Sequence, residues 1–194
     1  MTKETTRERI ITVADNLFYE QGFDHTSFAD IAGETSISRG NFYHHFKTKD
    51  QILEAVIELR LKNTLAMIKE WEAASHCAKE RIKSYITILD RNKNKIAKHG
   101  CPVGTLTSEL AKLSHDAQGS ANKIFSLFDE WLQIQFIDIG LNDEAELLSQ
   151  HVLARSQGIA TLYNTFQSDT FLKKEISLLL EWLEETCSTT TANH

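Results

Sequence analysis

A single proline, Pro102, and only eight glycines punctuate 194 residues, and this scarcity of breakers constrains the fold more than any motif does. Many-stranded sheets, collagen-like repeats and flexible linkers all need denser turn chemistry, whereas long helices do not. The remaining composition, 41 % hydrophobic and 25 % charged, is ordinary globular material, enough for one large domain or a small one attached to a larger. No stretch approaches the roughly 20 apolar residues that span a bilayer, because runs such as 178–180 are soon broken by charge. The polar start through Arg9 is unlike a secretory signal. Cys77, Cys101 and Cys187 are too few for a disulfide scaffold, and the odd count fits a reducing compartment. A cytoplasmic protein with no membrane partner is expected.

The first fifty residues carry several helix-start signals. Thr5 and Glu8 have capping-box spacing, and Ile10, Val13, Ala14, Leu17 and Phe18 then recur at helical intervals up to a capping Gly22, beneath which Phe23 packs. Thr26-Ser27 opens a second helix through Phe28, Ile31 and Ala32. Ser38 can cap a short third one over 39–46, and Thr48 with Gln51 opens a longer fourth through Ile52, Leu53, Val56 and Leu59. Three short helices with a tight turn between the second and third make a helix-turn-helix arrangement, whose third helix enters a DNA major groove.

Charge supports this only locally. The net charge is −6, and residues 1–50 hold six Lys/Arg against eight Asp/Glu. Yet residues 35–49 contain no acid, while Arg39, Lys47 and Lys49 are basic and Ser36, Ser38, Asn41, Tyr43, His44 and His45 add neutral donors. Lys3, Arg7 and Arg9 form a second basic cluster. A phosphate-binding surface needs such a concentrated edge, not a basic whole.

Residues 38–53, Ser-Arg-Gly-Asn-Phe-Tyr-His-His-Phe-Lys-Thr-Lys-Asp-Gln-Ile-Leu, resemble the recognition helix and following helix start of the TetR family of bacterial repressors. Phe18, Gly22-Phe23, Thr26-Ser27 and Ile31-Ala32 extend the resemblance upstream, so that it covers roughly 9–53. One departure is Ser36, where the family usually has glycine in the turn; a left-handed residue other than glycine costs on the order of 1 kcal/mol. The resemblance implies an all-α fold: an N-terminal three-helix helix-turn-helix domain over 1–49, a C-terminal effector-binding and dimerisation domain over 50–187, and a disordered tail over 188–194. It implies that Tyr43 and His44 face the groove and that Ser38, Arg39, Gly40 and Asn41 reach base edges. Arg39 then reads guanine and Asn41 adenine. Lys47 joins the basic edge, and Lys49, Thr26 and Ser27 hold phosphates at helix starts. Phe42 and Phe46, four apart on the opposite face, belong to the core; His45 is open between core and DNA.

The rest of the chain keeps helical periodicity. Residues 124–139 include Phe125, Leu127, Phe128, Trp131, Leu132, Ile134, Phe136 and Ile137, an apolar surface that must be buried on more than one side or wall a ligand cavity. The last two helices, about 143–166 and 168–187, carry stripes at Leu148, Val152, Ile159 and Leu162, and at Ile176, Leu179, Leu180 and Leu183. The resemblance implies that they pair with their copies in a homodimer that presents two recognition helices to double-stranded operator DNA.

Cys101 precedes Pro102, a residue suited to the first turn of a helix, and Lys98 and His99 lie just upstream. This setting favours thiolate over thiol. The segment also resembles a Gly-Cys-x-x-Gly-Asn-Leu-x-x-Glu-Leu run in one branch of the family, some members of which respond to electrophiles or oxidants, with Thr105 here in the asparagine position. Two readings of Cys101 stand: its modification releases DNA, or it caps and packs while a small-molecule effector, apolar or aromatic, acts elsewhere. No zinc-ligand spacing, phosphate loop or nucleophile elbow occurs in the sequence, so neither catalysis, a metal nor a cofactor is expected. The rival readings are an effector-independent DNA-binding protein and, further off, a helical metal-binding protein or enzyme.

Overall fold

A computed structural model describes residues 4–191, and among them every regular element is helical. In chain order these are α1 (Thr6–Gln21), α2 (Phe28–Glu34), α3 (Arg39–His45), α4 (Lys49–Ala74), α5 (Ala78–Arg91), α6 (Lys93–His99), α7 (Pro102–Lys112), α8 (Gln118–Ile139), α9 (Ala145–Phe166) and α10 (Asp169–Thr191), with a 3-10 turn at Asn142–Glu144 before α9. No helix among the described residues is long and apolar enough to cross a membrane. The chain divides into two compact units, one running to Thr64 and resuming over Pro102–Ile124, the other comprising Leu65–Cys101 and the chain from Phe125 onward.

The first unit begins with the expected capping box. Glu8 N–H donates to Thr5 Oγ1 at 3.2 Å, and Thr5 N–H donates back to the Glu8 carboxylate at 2.8 Å. α1 stops at Gly22, whose φ of +89° suits glycine and whose N–H reaches the Phe18 carbonyl. The start of α4 differs in detail from a reciprocal box. Thr48 Oγ1 accepts from Gln51 N–H at 3.2 Å, but the Gln51 side chain accepts from Lys47 N–H at 2.8 Å instead of from Thr48.

Three short helices cannot enclose a core alone, and this explains why the unit extends beyond residue 49. Ile10, Ala14, Phe18, Ile31, Phe42 and Phe46 are buried together with Ile52, Leu53, Val56 and Ile57 of α4, Leu106 and Leu110 of α7, and Ala117 and Ala121. Each large side chain so buried contributes about 1.5–3 kcal/mol. The helix-turn-helix is therefore built on a scaffold that includes a segment far downstream in sequence.

The second unit packs α5, α6, α9 and α10 with the later parts of α4 and α8. α5 buries Ile82, Tyr85, Ile86 and Leu89 along one face. Trp131 lies 5.4 Å from Trp71 between ring centroids and donates its indole N–H to Glu72 at 3.0 Å. The buried Gln135 is satisfied on both sides, donating to the Trp131 carbonyl and accepting from Arg81. α8 is less enclosed than its composition implies: Phe128, Trp131, Leu132 and Phe136 are buried, but Ile134 and Ile137 stay 53 % and 47 % exposed. They occupy a flank that nothing within one chain covers among the described residues. At its end α10 continues through 188–191, where a frayed tail was expected, and Ser188 Oγ there donates to the Glu184 carbonyl at 2.7 Å; residues 192–194 lie outside the described residues.

Candidate nucleic-acid interface

α3 divides into two faces because its residues alternate at helical spacing. Phe42 and Phe46 are buried, as expected, and Phe42 meets Phe28 edge-on at 4.8 Å. Arg39 and Tyr43, four apart on α3, are exposed, and so is Lys47, which follows the extended Phe46 two residues past the helix end. The Tyr43 ring leans on Phe28 at 5.2 Å, the Arg39 guanidinium stands 5.9 Å from the Tyr43 ring centroid, and the Lys47 ammonium donates to the Tyr43 carbonyl. Tyr43 thus gathers two cations, Arg39 through its ring and Lys47 through its backbone carbonyl. Gly40, Asn41 and His44 are exposed beside it, while His45 is half-buried and edge-on to His44 at 5.3 Å. From α1, Arg7 comes to lie 5.2 Å above the Phe46 ring and so extends positive charge toward the end of α3. Lys3 of the same cluster lies outside the described residues.

The turn before α3 has the strained geometry that its sequence implies. Ser36 has a φ of +52°, with its N–H on the Gly33 carbonyl at 3.2 Å. Ser38 takes the position ahead of α3 but makes no side-chain capping bond. Ser27 does cap: its Oγ accepts from Asp30 N–H at 3.1 Å, and the Asp30 carboxylate accepts from Ser27 N–H at 2.8 Å. Hydrogen bonding to the carboxylate from the Ser27 side chain and backbone holds the Asp30 carboxyl below the usual carboxylate range.

Thr26 departs from expectation. It is fully buried, and its hydroxyl donates to the Gly22 carbonyl at 2.7 Å, so it locks the turn between α1 and α2 instead of meeting a phosphate. Lys49 is half-buried, with its ammonium 2.9 Å from the Phe23 carbonyl and 4.1 Å from the centre of the Phe23 ring. Two polar groups that matter for this unit were missed in the sequence. Glu109 bonds the same turn from 86 positions away, and Arg60 pairs with Asp15 from 45 away. No local spacing signals contacts that distant.

Near the start of α7, Cys101 is half-buried and Pro102 is the first helical residue. Burial pushes the Tyr85 phenol up, and the charge of a Cys101 thiolate would raise it further. The Tyr85 hydroxyl shares a 3.1 Å hydrogen bond with Ser156. Among the described residues no group of three or more His, Cys, Asp or Glu gathers to hold a metal ion.

Residues 10–56 match the profile of "Bacterial regulatory proteins, tetR family". Over 180 residues the chain is 29 % identical to an uncharacterized HTH-type transcriptional regulator in the lacX 3' region of Lactococcus lactis subsp. lactis, covering 90 % of this chain and 91 % of that protein. It is 29 % identical over 143 residues to the transposon Tn10 TetC protein of Escherichia coli, covering 70 % and 71 % respectively. The crystal structure of a TetR transcriptional regulator from Legionella pneumophila superposes with a TM-score of 0.82 at 27 % identity, across 96 % of this chain and 99 % of that one.

Proposed function

The chain belongs to the TetR family and is a DNA-binding transcriptional regulator, and from this we propose that it is a cytoplasmic, homodimeric repressor of a pseudo-palindromic operator. A small-molecule effector, or modification of Cys101, releases it. The observation that carries the reading is the acid-free group of exposed Arg39 and Tyr43 on α3 with Lys47 just past its end, backed by buried Phe42 and Phe46. Arg39 reads guanine through its forked donors and Asn41 reads adenine. Tyr43, His44, Lys47 and Lys49 hold the phosphate backbone with Ser27, while Ser38 reaches base edges beside Arg39 and Gly40 leaves room for close approach.

Dimerisation through α9 and α10 is supported by apolar surface that one chain leaves uncovered. Leu147, Leu162 and Phe166 on α9 are 68 %, 43 % and 67 % exposed, with exposed Ala154 and Gly158 between them. Two such subunits related by a two-fold axis set their recognition helices about 34 Å apart, one turn of B-DNA. Effector binding or thiol modification favours a spacing that the operator does not accept.

The test is fluorescence anisotropy on duplex DNA from beside the protein's own gene, across a range of salt. Lys47→Ala should weaken binding to all sequences and flatten the log–log salt slope by about one. Arg39→Ala should cost about 1–3 kcal/mol on the best sequence and relax the preference for guanine. Unchanged affinity in both variants would mean that α3 does not face DNA. A thiol-alkylating maleimide should release wild type but not Cys101→Ser; release of neither leaves regulation to a reversible effector.

A further inference from the structure

Glu109 of α7 spends its carboxylate on the turn between α1 and α2. Phe23 N–H donates to its Oε2 and Asp24 N–H to its Oε1, both at 2.9 Å. Successive backbone N–H groups closing on one anion form a cradle, and bonds to an ionised acceptor are roughly twice as strong as neutral ones. Gly22 permits the approach, because a Cβ there would stand 3.0 Å from Glu109 Oε1. Lys49 holds the opposite edge of the same turn through the Phe23 carbonyl at 2.9 Å.

The other end of α7 is tied as well. Arg60 donates through Nη1 to the Pro102 carbonyl and through Nε to Asp15 of α1, each at 2.6 Å. With a rise of about 1.5 Å per residue, the two ties lie roughly 10 Å apart along α7. Both reach α1 or the turn that ends it, and α1 in turn packs on α2.

We propose that α7 is a strut for the DNA-binding head and that Glu109 is its positioning residue. The carboxylate holds the α1–α2 turn, and with it the seat of α2 and α3, in the geometry that fits DNA. Arg60 carries any shift at the start of α7 into α1. Glu109 itself touches no DNA. The proposal rests on the DNA-binding reading and adds the point at which regulation enters the head, since Pro102 directly follows Cys101.

The experiment titrates a labelled duplex from beside the protein's own gene, with random-sequence duplex alongside, against wild type, Glu109→Ala, Glu109→Gln and Ile57→Val. Ile57 lies in the same core at 1 % exposure, so its variant is destabilised with the strut intact. Amide exchange at Phe23 and Asp24 is followed by NMR in each protein. Glu109→Ala is expected to bind about tenfold more weakly and to exchange both amides faster. Glu109→Gln, with one acceptor oxygen left, falls between, and Ile57→Val binds like wild type. Affinity for Glu109→Ala within about twofold of wild type, or unchanged exchange, overturns the proposal. An equal loss in Ile57→Val overturns it too, because general destabilisation then explains both. Wild type that binds neither duplex sinks the DNA-binding reading and the strut with it, a failure visible in wild type and not only in the variants.

Discussion

Ser36 shows how a single residue carries both a family departure and a physical cost. Its φ of +52° is the left-handed conformation that a Cβ opposes by about 1–2 kcal/mol, though glycine loses more freedom on folding than serine does. Ser36→Gly should therefore raise stability by less than about 1 kcal/mol, read as a shift of the urea midpoint. A lower midpoint would mean that the serine side chain supports the turn. The burial of Phe42 and Phe46 could be read from the sequence because they fall four apart, whereas the outward placing of Tyr43 and His44 was legible only through the family resemblance. Thr26 could not be read in this way. A threonine before a helix serves equally as phosphate ligand or as buried lock, and its choice depends on the Gly22 carbonyl that the fold brings to it.

Among the elements, the α5–α10 pairing carries a charge cluster with a definite pH signature. Lys79 and Lys83 of α5 both donate to Glu184 of α10, at 2.7 and 2.6 Å, and these bonds hold the Glu184 carboxyl down to about 2. The same partner raises both lysines. A depressed carboxyl stabilises the fold above its ordinary value of 4.5, and this contribution fades as pH falls toward about 2. The raised lysines contribute fully below 10.5 and lose their share as pH climbs beyond it. Glu184→Gln should thus melt below wild type at neutral pH, with the gap closing in acid and narrowing in high salt; a gap that persists at low pH would assign it to packing. Helix starts at Thr5 and Ser27 were legible because capping boxes are local. The burial of α8 was not, since its apolar residues do not say which flank a neighbour covers.

At the scale of the whole molecule, Gly158 separates a monomer from a dimer by the sign of one substitution. It sits exposed in the middle of α9, and a Cβ there would meet no atom within 4 Å. For a monomer, Gly158→Glu exchanges a poor helix former for a better one and should gain about 0.5–1 kcal/mol. For a dimer paired through this face it puts a charge into a close helix contact, so sedimentation should show dissociation. We expect dissociation, and a stabilised particle of unchanged mass would remove α9 from the interface. The all-α class and the helix-turn-helix were determined by the sequence alone, because sparse breakers, caps and 3.6-residue periodicity act within a few positions. The extent of the head was decided only by tertiary structure: α1–α3 bury too little apolar surface unaided and recruit Leu106 and Leu110 from α7. Glu109 and Arg60 follow from the same cause. Their partners lie 42 to 86 residues away, and chain closure over such distances leaves no mark in local spacing.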